Sequence, residues 1–364
     1  MSSDMNAMLM KTLSNVFYTM ATLLFIVSCS NVKESQCKVL NIDRTQEDVV
    51  CLELENFSKM EFELTPKSIL GTVSAVIPIG DKWLVQTKNS LLCFDENGKF
   101  VDEVGSHGRG PGEHLDIKSV CVSGDTVVVW STNSNFNFYV LDGNHYRFVE
   151  SQASPKDLSH LIGLFYADNQ FPFYLVQNVW NGTPGVKTPV LTAYDKSWNV
   201  MDSSVATIPS GGWSISSPFS STTDAVYFGT LASDTVHVVK EGKIAPAFSY
   251  QWGRSAFPKE VQGSYSTILP YIIEHPKDFC ILHQRSVISK NGDVIYAQIY
   301  AAETSMLLRY DLRTDENQIY SLKHKDGTKA SIQCILNAAS DYVYVVTSAS
   351  DNNENPSMYK ITFD

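Results

Sequence analysis

The chain has 364 residues, with 28 Lys and Arg against 39 Asp and Glu and a formal net charge of −11. A surplus of that sign, with no Lys/Arg run longer than two, disfavours a nucleic-acid partner, because backbone phosphates demand clustered basic side chains. At 43% hydrophobic and 18% charged residues the composition excludes an intrinsically disordered chain and allows one large domain or two smaller ones.

Lys11 precedes an apolar segment from Val16 to Val27, followed by Ser28 and Cys29. The segment is too short to span a bilayer but suits the apolar region of a secretory signal. Ile26-Val27-Ser28-Cys29 resembles a bacterial lipobox, in which the cysteine is acylated and becomes the mature first residue. The expected organisation is a lipoprotein signal peptide over 1–28, a tether and lead-in segment over 29–55, and a folded body over 56–364. The membrane partner is then reached through lipid on Cys29, with the body itself soluble. A cleaved signal with an incidental cysteine is the alternative. Six further cysteines (Cys37, Cys51, Cys93, Cys121, Cys280 and Cys334) have no C-x-x-C spacing. Four of them sit in apolar runs, which favours buried free thiols over disulfides or a zinc site.

Met60-Glu61-Phe62-Glu63-Leu64 alternates apolar and acidic residues as a strand does. Leu91 to Phe94 and Phe100 to Val104 flank Asp95-Glu96-Asn97-Gly98, a turn sequence that tolerates positive φ, and so read as a β-hairpin. Next comes Gly108-Arg109-Gly110-Pro111-Gly112-Glu113, whose glycines and proline exclude a regular helix or a central strand.

FDENGKFVDEVG followed by GSHGRGPGEH resembles the six-bladed β-propeller lipoproteins of Bacteroidetes, an NHL-like and TolB-like group in which a GRGPGE loop links one blade to the next. The motif match covers residues 94–113, and the hairpin repeat extends it over 60–364. The resemblance implies fold and compartment, an outer-membrane lipoprotein of the cell envelope, more than chemistry.

The repeat itself is legible. A strand ending in a polar turn recurs at Phe94-Asp95, Leu141-Asp142, Tyr194-Asp195, Lys240-Glu241, Tyr310-Asp311 and Tyr359-Lys360. Each is preceded by a β-rich segment: Trp83–Val85, Thr126–Trp130, Phe173–Val176, Val226–Phe228, Val294–Tyr296 and Tyr342–Val346. The expected fold is all-β, a six-bladed β-propeller of four-stranded antiparallel blades. The last repeat wants a fourth strand, so the ring is expected to close through the N-terminal strand at 60–64, which removes two edges at once. Trp252 to Arg285 exceeds what a blade needs and is expected to form an ordered cap, partly helical between Pro270 and Pro276.

Catalytic signatures are weak. GRGPG lacks the Lys-Ser/Thr ending of a P-loop, Gly211-Gly212-Trp213-Ser214 is not a nucleophile elbow, and the acidic turns at 95–98 and 351–354 lack the ligand alternation of a calcium loop. Arg109 stands on a rigid loop, where it either meets an anion or pairs with Glu113; His107 and His114 flank the same loop. Trp180 and Trp213 lie in Gly- and Ser-containing sequence, as suits sugar stacking or packing alike. The reading is a binding or interaction module with no cofactor. Its ligand is a small molecule, glycan or envelope protein, met at a channel mouth by His107 and Arg109 of the connector and by Tyr265, Tyr271 and His275 of the insertion. The alternative is a lactonase-like propeller hydrolase with a divalent cation, calcium, in the channel.

Overall fold

The computed structural model describes residues 37–363 except 132–134, 154–160, 167–173, 179–186, 196, 208–218, 223, 230–233, 263–264, 337 and 350–353. The lipobox with Cys29, and Trp180 and Trp213, lie outside the described residues. Residues 37–364 form one compact unit.

Its sheets are antiparallel meanders in chain order. The first comprises Ala75–Ile79, Lys82–Gln86, Leu91–Phe94 and Phe100–Glu103; the second Ile117–Ser123, Thr126–Ser131, Asn135–Asp142 and His145–Ala153; the third Leu161–Tyr166, Tyr174–Asn178, Lys187–Tyr194 and Val200–Thr207. The fourth is built from Phe219–Ser221, Val226–Gly229, Thr235–Lys240 and Lys243–Gln251, and the fifth from Leu282–Ile288, Val294–Ala301, Thr304–Asp311 and Asn317–Lys323. Ile332–Leu336, Tyr342–Thr347 and Ser357–Thr362 make the sixth. The first strand of a sheet lies against the first strand of its neighbour for the first and second, second and third, fourth and fifth, fifth and sixth, and sixth and first sheets, while the last strands of the third and fourth meet. Sheets arranged so around a common axis are a β-propeller.

Local chemistry explains the recurrence. In the turn after Leu91–Phe94, Asp95 Oδ1 accepts the N–H groups of Asn97 and Lys99 at 2.9 and 2.8 Å. The equivalent turn of the third sheet repeats this, with Asp195 Oδ1 accepting from Ser197 and Asn199 at 2.8 and 2.9 Å. The αL position is filled by Gly98 (φ 82°) in one and by Trp198 (φ 65°) in the other. Trp198 offsets that strain by stacking on Phe136 at 5.2 Å and 11°. One anchor is displaced from its expected place: Tyr359-Lys360 lies inside Ser357–Thr362 rather than at a turn.

The core is divided among the wedges between sheets. Val236, Phe248 and Tyr250 of the fourth sheet pack on Ile295, Ala297 and Ile299 of the fifth; Tyr296 and Leu307 of the fifth meet Val343 and Val345 of the sixth. Across two wedges a glutamine adds a polar latch. Gln86 Nε2 donates to the Ile117 carbonyl at 3.5 Å, and Gln298 Nε2 to the Ile332 carbonyl at 3.0 Å, in each case just before a bulge in the next sheet's first strand. Both glutamines hold the same position of the repeat, opposite Ala75 and Arg285 respectively.

The N-terminal segment does more than close the ring. β1 (Lys38–Asn41) adds in parallel to Lys243–Gln251, β2 (Val50–Glu53) in parallel to Asn317–Lys323, and β3 (Ser58–Glu61) antiparallel to Ser357–Thr362. The closing strand is thus 58–61, slightly before the alternating 60–64. The part of the lead-in that is described is a strap along three successive outer edges. Leu40, Ile42 and Leu54 are its fully buried pegs. Between β1 and β2, Asp43 accepts from Arg254 Nε at 3.1 Å, Arg44 bonds Asn317, and Ser255 Oγ donates to the Arg44 carbonyl.

Cys93, Cys121 and Cys334 are buried thiols outside any disulfide, Cys37 and Cys280 half-buried and Cys51 exposed. The helix of the insertion, α1 (Tyr265–Glu274), is not bounded by Pro270 but runs through it. An interior proline costs about 3 kcal/mol, and burial of Ile268 with Ile272 against Phe257 and Leu282 offsets that loss.

Candidate functional site

In an antiparallel meander, loops after the second and fourth strands emerge on one face, and those after the first and third on the other. The connector 104–116 and the insertion 252–281 both follow a fourth strand, so the sequence-derived candidates share a face. They are not brought together, for they leave different sheets, the first and the fourth.

The connector is held from within. His107 pairs with His114 in a short parallel bridge, Gly108 N–H bonds the His114 carbonyl at 2.9 Å, and Gly110 N–H donates to Glu113 Oε2 at 2.6 Å. Glu113 thus caps the loop's own backbone. The second sheet grips the loop as well: Asn137 Nδ2 donates to the Glu113 carbonyl at 2.9 Å and Tyr139 Oη to the Gly112 carbonyl at 3.1 Å. His107 and Arg109 stay exposed on its outer side.

His114 is fully buried, and neither ring nitrogen has a partner. Burial lowers its pKa from 6.5 to about 4. Because the folded protein resists protonation that the unfolded chain accepts, stability falls as pH drops from 6.5 towards 4. Urea unfolding at a series of pH values should show His114→Phe losing that slope, which integrates to about 3 kcal/mol in the parent. An unchanged slope would mean that His114 is hydrated in solution.

In the insertion, Tyr271 and His275 stack at 4.5 Å and 29°. Tyr271 Oη donates to Asp278 Oδ2 at 2.8 Å, a bond that, with some desolvation, raises the phenol to about 12. Tyr265 begins α1, and its side chain lies outside the described residues.

Beneath α1 the structure adds residues that the sequence did not single out. A cavity of about 40 Å³ is lined by Trp252, Phe257, Ile268 and Leu282 together with His283 and Asp234. Trp252 Nε1 donates to Asp234 Oδ1 at 2.6 Å, and desolvation raises the pKa of that carboxyl group. The indole stacks on Tyr250 at 4.9 Å and 16°; Tyr250 Oη and His283 Nε2 each lie 2.8 Å from Ser286 Oγ. Asp234 and Trp252 are 18 residues apart, on different loops, and no linear motif marks the pair.

Arg285 is 4% exposed and its Nη2 donates at 3.2 Å to the carbonyl of Ser74, the residue before the first sheet's first strand. It therefore reaches from the fifth sheet past the sixth to the edge of the first. At the same repeat position the first, second, third and sixth sheets carry the smaller residues Ala75, Ser119, Gly163 and Cys334.

A groove of about 770 Å³ lies beside β3 and includes Glu61, Glu63 and Glu96. Its acids serve the closure: Glu61 pairs with Lys59 at 2.6 Å and Glu63 Oε2 accepts the Phe100 N–H at 2.9 Å. Among the described residues no group of three or more His, Cys, Asp or Glu is gathered for a metal, and no helix is long and apolar enough to cross a membrane.

The fold and this face define a β-propeller with an elaborated loop side. The chain belongs to the family described as Domain of unknown function (DUF4934), which matches residues 38–360. No curated protein matches it. Among solved structures it is similar to a chain of Bacteroides fragilis NCTC 9343 whose name marks it as an inferred exported protein, with 12% identity, a TM-score of 0.65, and coverage of 90% of this chain and 100% of that one. The β-propeller domain of Cps50 (Swd1) from Myceliophteria thermophila is 10% identical with a TM-score of 0.48, covering 84% of this chain and 100% of that one.

Proposed function

We propose that the protein is an exported, lipid-anchored six-bladed propeller, NHL-like and TolB-like, that serves the cell envelope as a ligand-binding or protein-interaction module. Acylation at Cys29 holds it to the outer membrane, and the ligand is a small molecule, a glycan or an envelope protein. The observation that carries the reading is the insertion: a ring needs only a short link between its fourth and fifth sheets, yet here the link is an ordered helix roofing a cavity. Export is supported by the apolar leader and by the name of the Bacteroides fragilis neighbour. Binding is assigned to the loop face with Tyr265, Tyr271 and His275 on the insertion side and His107 and Arg109 on the connector side.

The test is a thermal-shift and calorimetric titration of residues 30–364 with a panel of envelope oligosaccharides and peptidoglycan fragments. A binder is expected whose affinity drops about tenfold, roughly 1.4 kcal/mol, in Tyr271→Ala/His275→Ala without loss of fold. In cells, Cys29→Ser should move the protein from the membrane to the soluble fraction. Stoichiometric calcium, lost together with a hydrolytic activity, would instead establish the lactonase-like alternative.

A further inference from the structure

The cavity under α1 has a chemical character that selects its occupant. Its walls are mainly aromatic and aliphatic, with Gln262 and His283 among them, and among the described residues Asp234 is its one acid and no Lys or Arg lines it. The carboxylate lines the cleft, where its Oδ1 is held by the indole N–H of Trp252, itself only 5% exposed. A carboxylate beside an aromatic ring in a desolvated cleft is complementary to an organic cation, through charge and through the ring quadrupole. Anions are disfavoured by the same acid. Size narrows the choice: about 40 Å³ is a few times the roughly 10–15 Å³ that one water needs on the same measure, room for a small head group and the start of a slender stem and not for a sugar ring.

We infer that this cleft is a binding site for a primary ammonium group carried on a slender alkyl chain, with Asp234 as counter-ion and Trp252 as aromatic wall. The head donates to Asp234, and its stem lies along Phe257 and Ile268 beneath the helix. The proposal deepens the binding-module reading, because it names the chemistry of one subsite on the same face.

The probes are n-butylammonium and its neutral isostere n-butanol, added to residues 30–364 in which the tryptophan indoles are 15N-labelled; the Trp252 resonance is identified from Trp252→Phe. A saturable shift of that resonance with n-butylammonium is expected, at least tenfold weaker with n-butanol and in Asp234→Asn. Tetramethylammonium, too bulky for the cleft, should leave the resonance in place. If Asp234→Asn perturbs the fold, Ile268→Trp in the helix fills the cleft from the other side and should block the shift with Asp234 intact. An equal response to n-butanol, an undiminished response in Asp234→Asn or Ile268→Trp, or no response at high millimolar n-butylammonium overturns the proposal. Failure here with a successful oligosaccharide titration removes the ammonium site and keeps the binding module; the reverse outcome keeps the site and moves the module's ligand to the amines.

Discussion

Deleting residues 37–61 is expected to abolish cooperative folding of the ring. The segment contributes the fourth strand of the sixth sheet and the fifth strands of two others, and it buries Leu40, Ile42 and Leu54 completely. Emptying each such peg costs about 2–5 kcal/mol, so three together are comparable to the roughly 5–15 kcal/mol by which a domain is stable, before the edge left open along Ser357–Thr362 is considered. Leu40→Ala alone should lose about 3 kcal/mol in urea unfolding. A chain starting at residue 62 that still unfolds in one sharp transition within about 2 kcal/mol of the parent would show that the ring is closed by packing of the sheets and not by the strap.

The second large effect is expected at Gly112. Its φ of 72° is left-handed, and a Cβ there would stand 2.8 Å from Cγ of Phe148. Gly112→Val therefore combines backbone strain with overpacking and should cost about 3–5 kcal/mol. Arg109→Ala, three residues earlier and exposed, should stay within about 0.5 kcal/mol. Measured together by chemical denaturation, the pair separates the connector's two faces: an inner one that joins the first and second sheets, and an outer one free to meet a ligand. Similar small losses for both would mean that the loop is not fixed by the second sheet.

The repeat was legible because strand and turn signals are local. Asp95 and Asp195 announce their turns by hydrogen bonds that reach only two and four residues ahead, and Gly98 and Gly124 sit where tight reversals require positive φ. The need for a closing strand was legible too, since a propeller cannot leave its last sheet one strand short. What escaped was the role of 38–53. Val50, Cys51 and Glu53 are exposed, so β2 lacks the periodicity of a half-buried strand, and a parallel edge is recognised only by the sheet it joins.

At the site, Tyr271 and His275 could be paired from sequence because four residues bring side chains onto one helix face. Asp234 could not be paired with Trp252, nor Arg285 with Ser74, because those contacts join loops and sheets far apart in the chain. The sequence by itself determined strands, turns, a glycine-shaped connector and an apolar leader, for these depend on neighbours within a few residues. Only the tertiary structure decided which edges the N-terminal strap covers, which arginine joins two sheets that are not neighbours and which carboxylate lines the cleft, because each is fixed by how whole sheets pack around the ring.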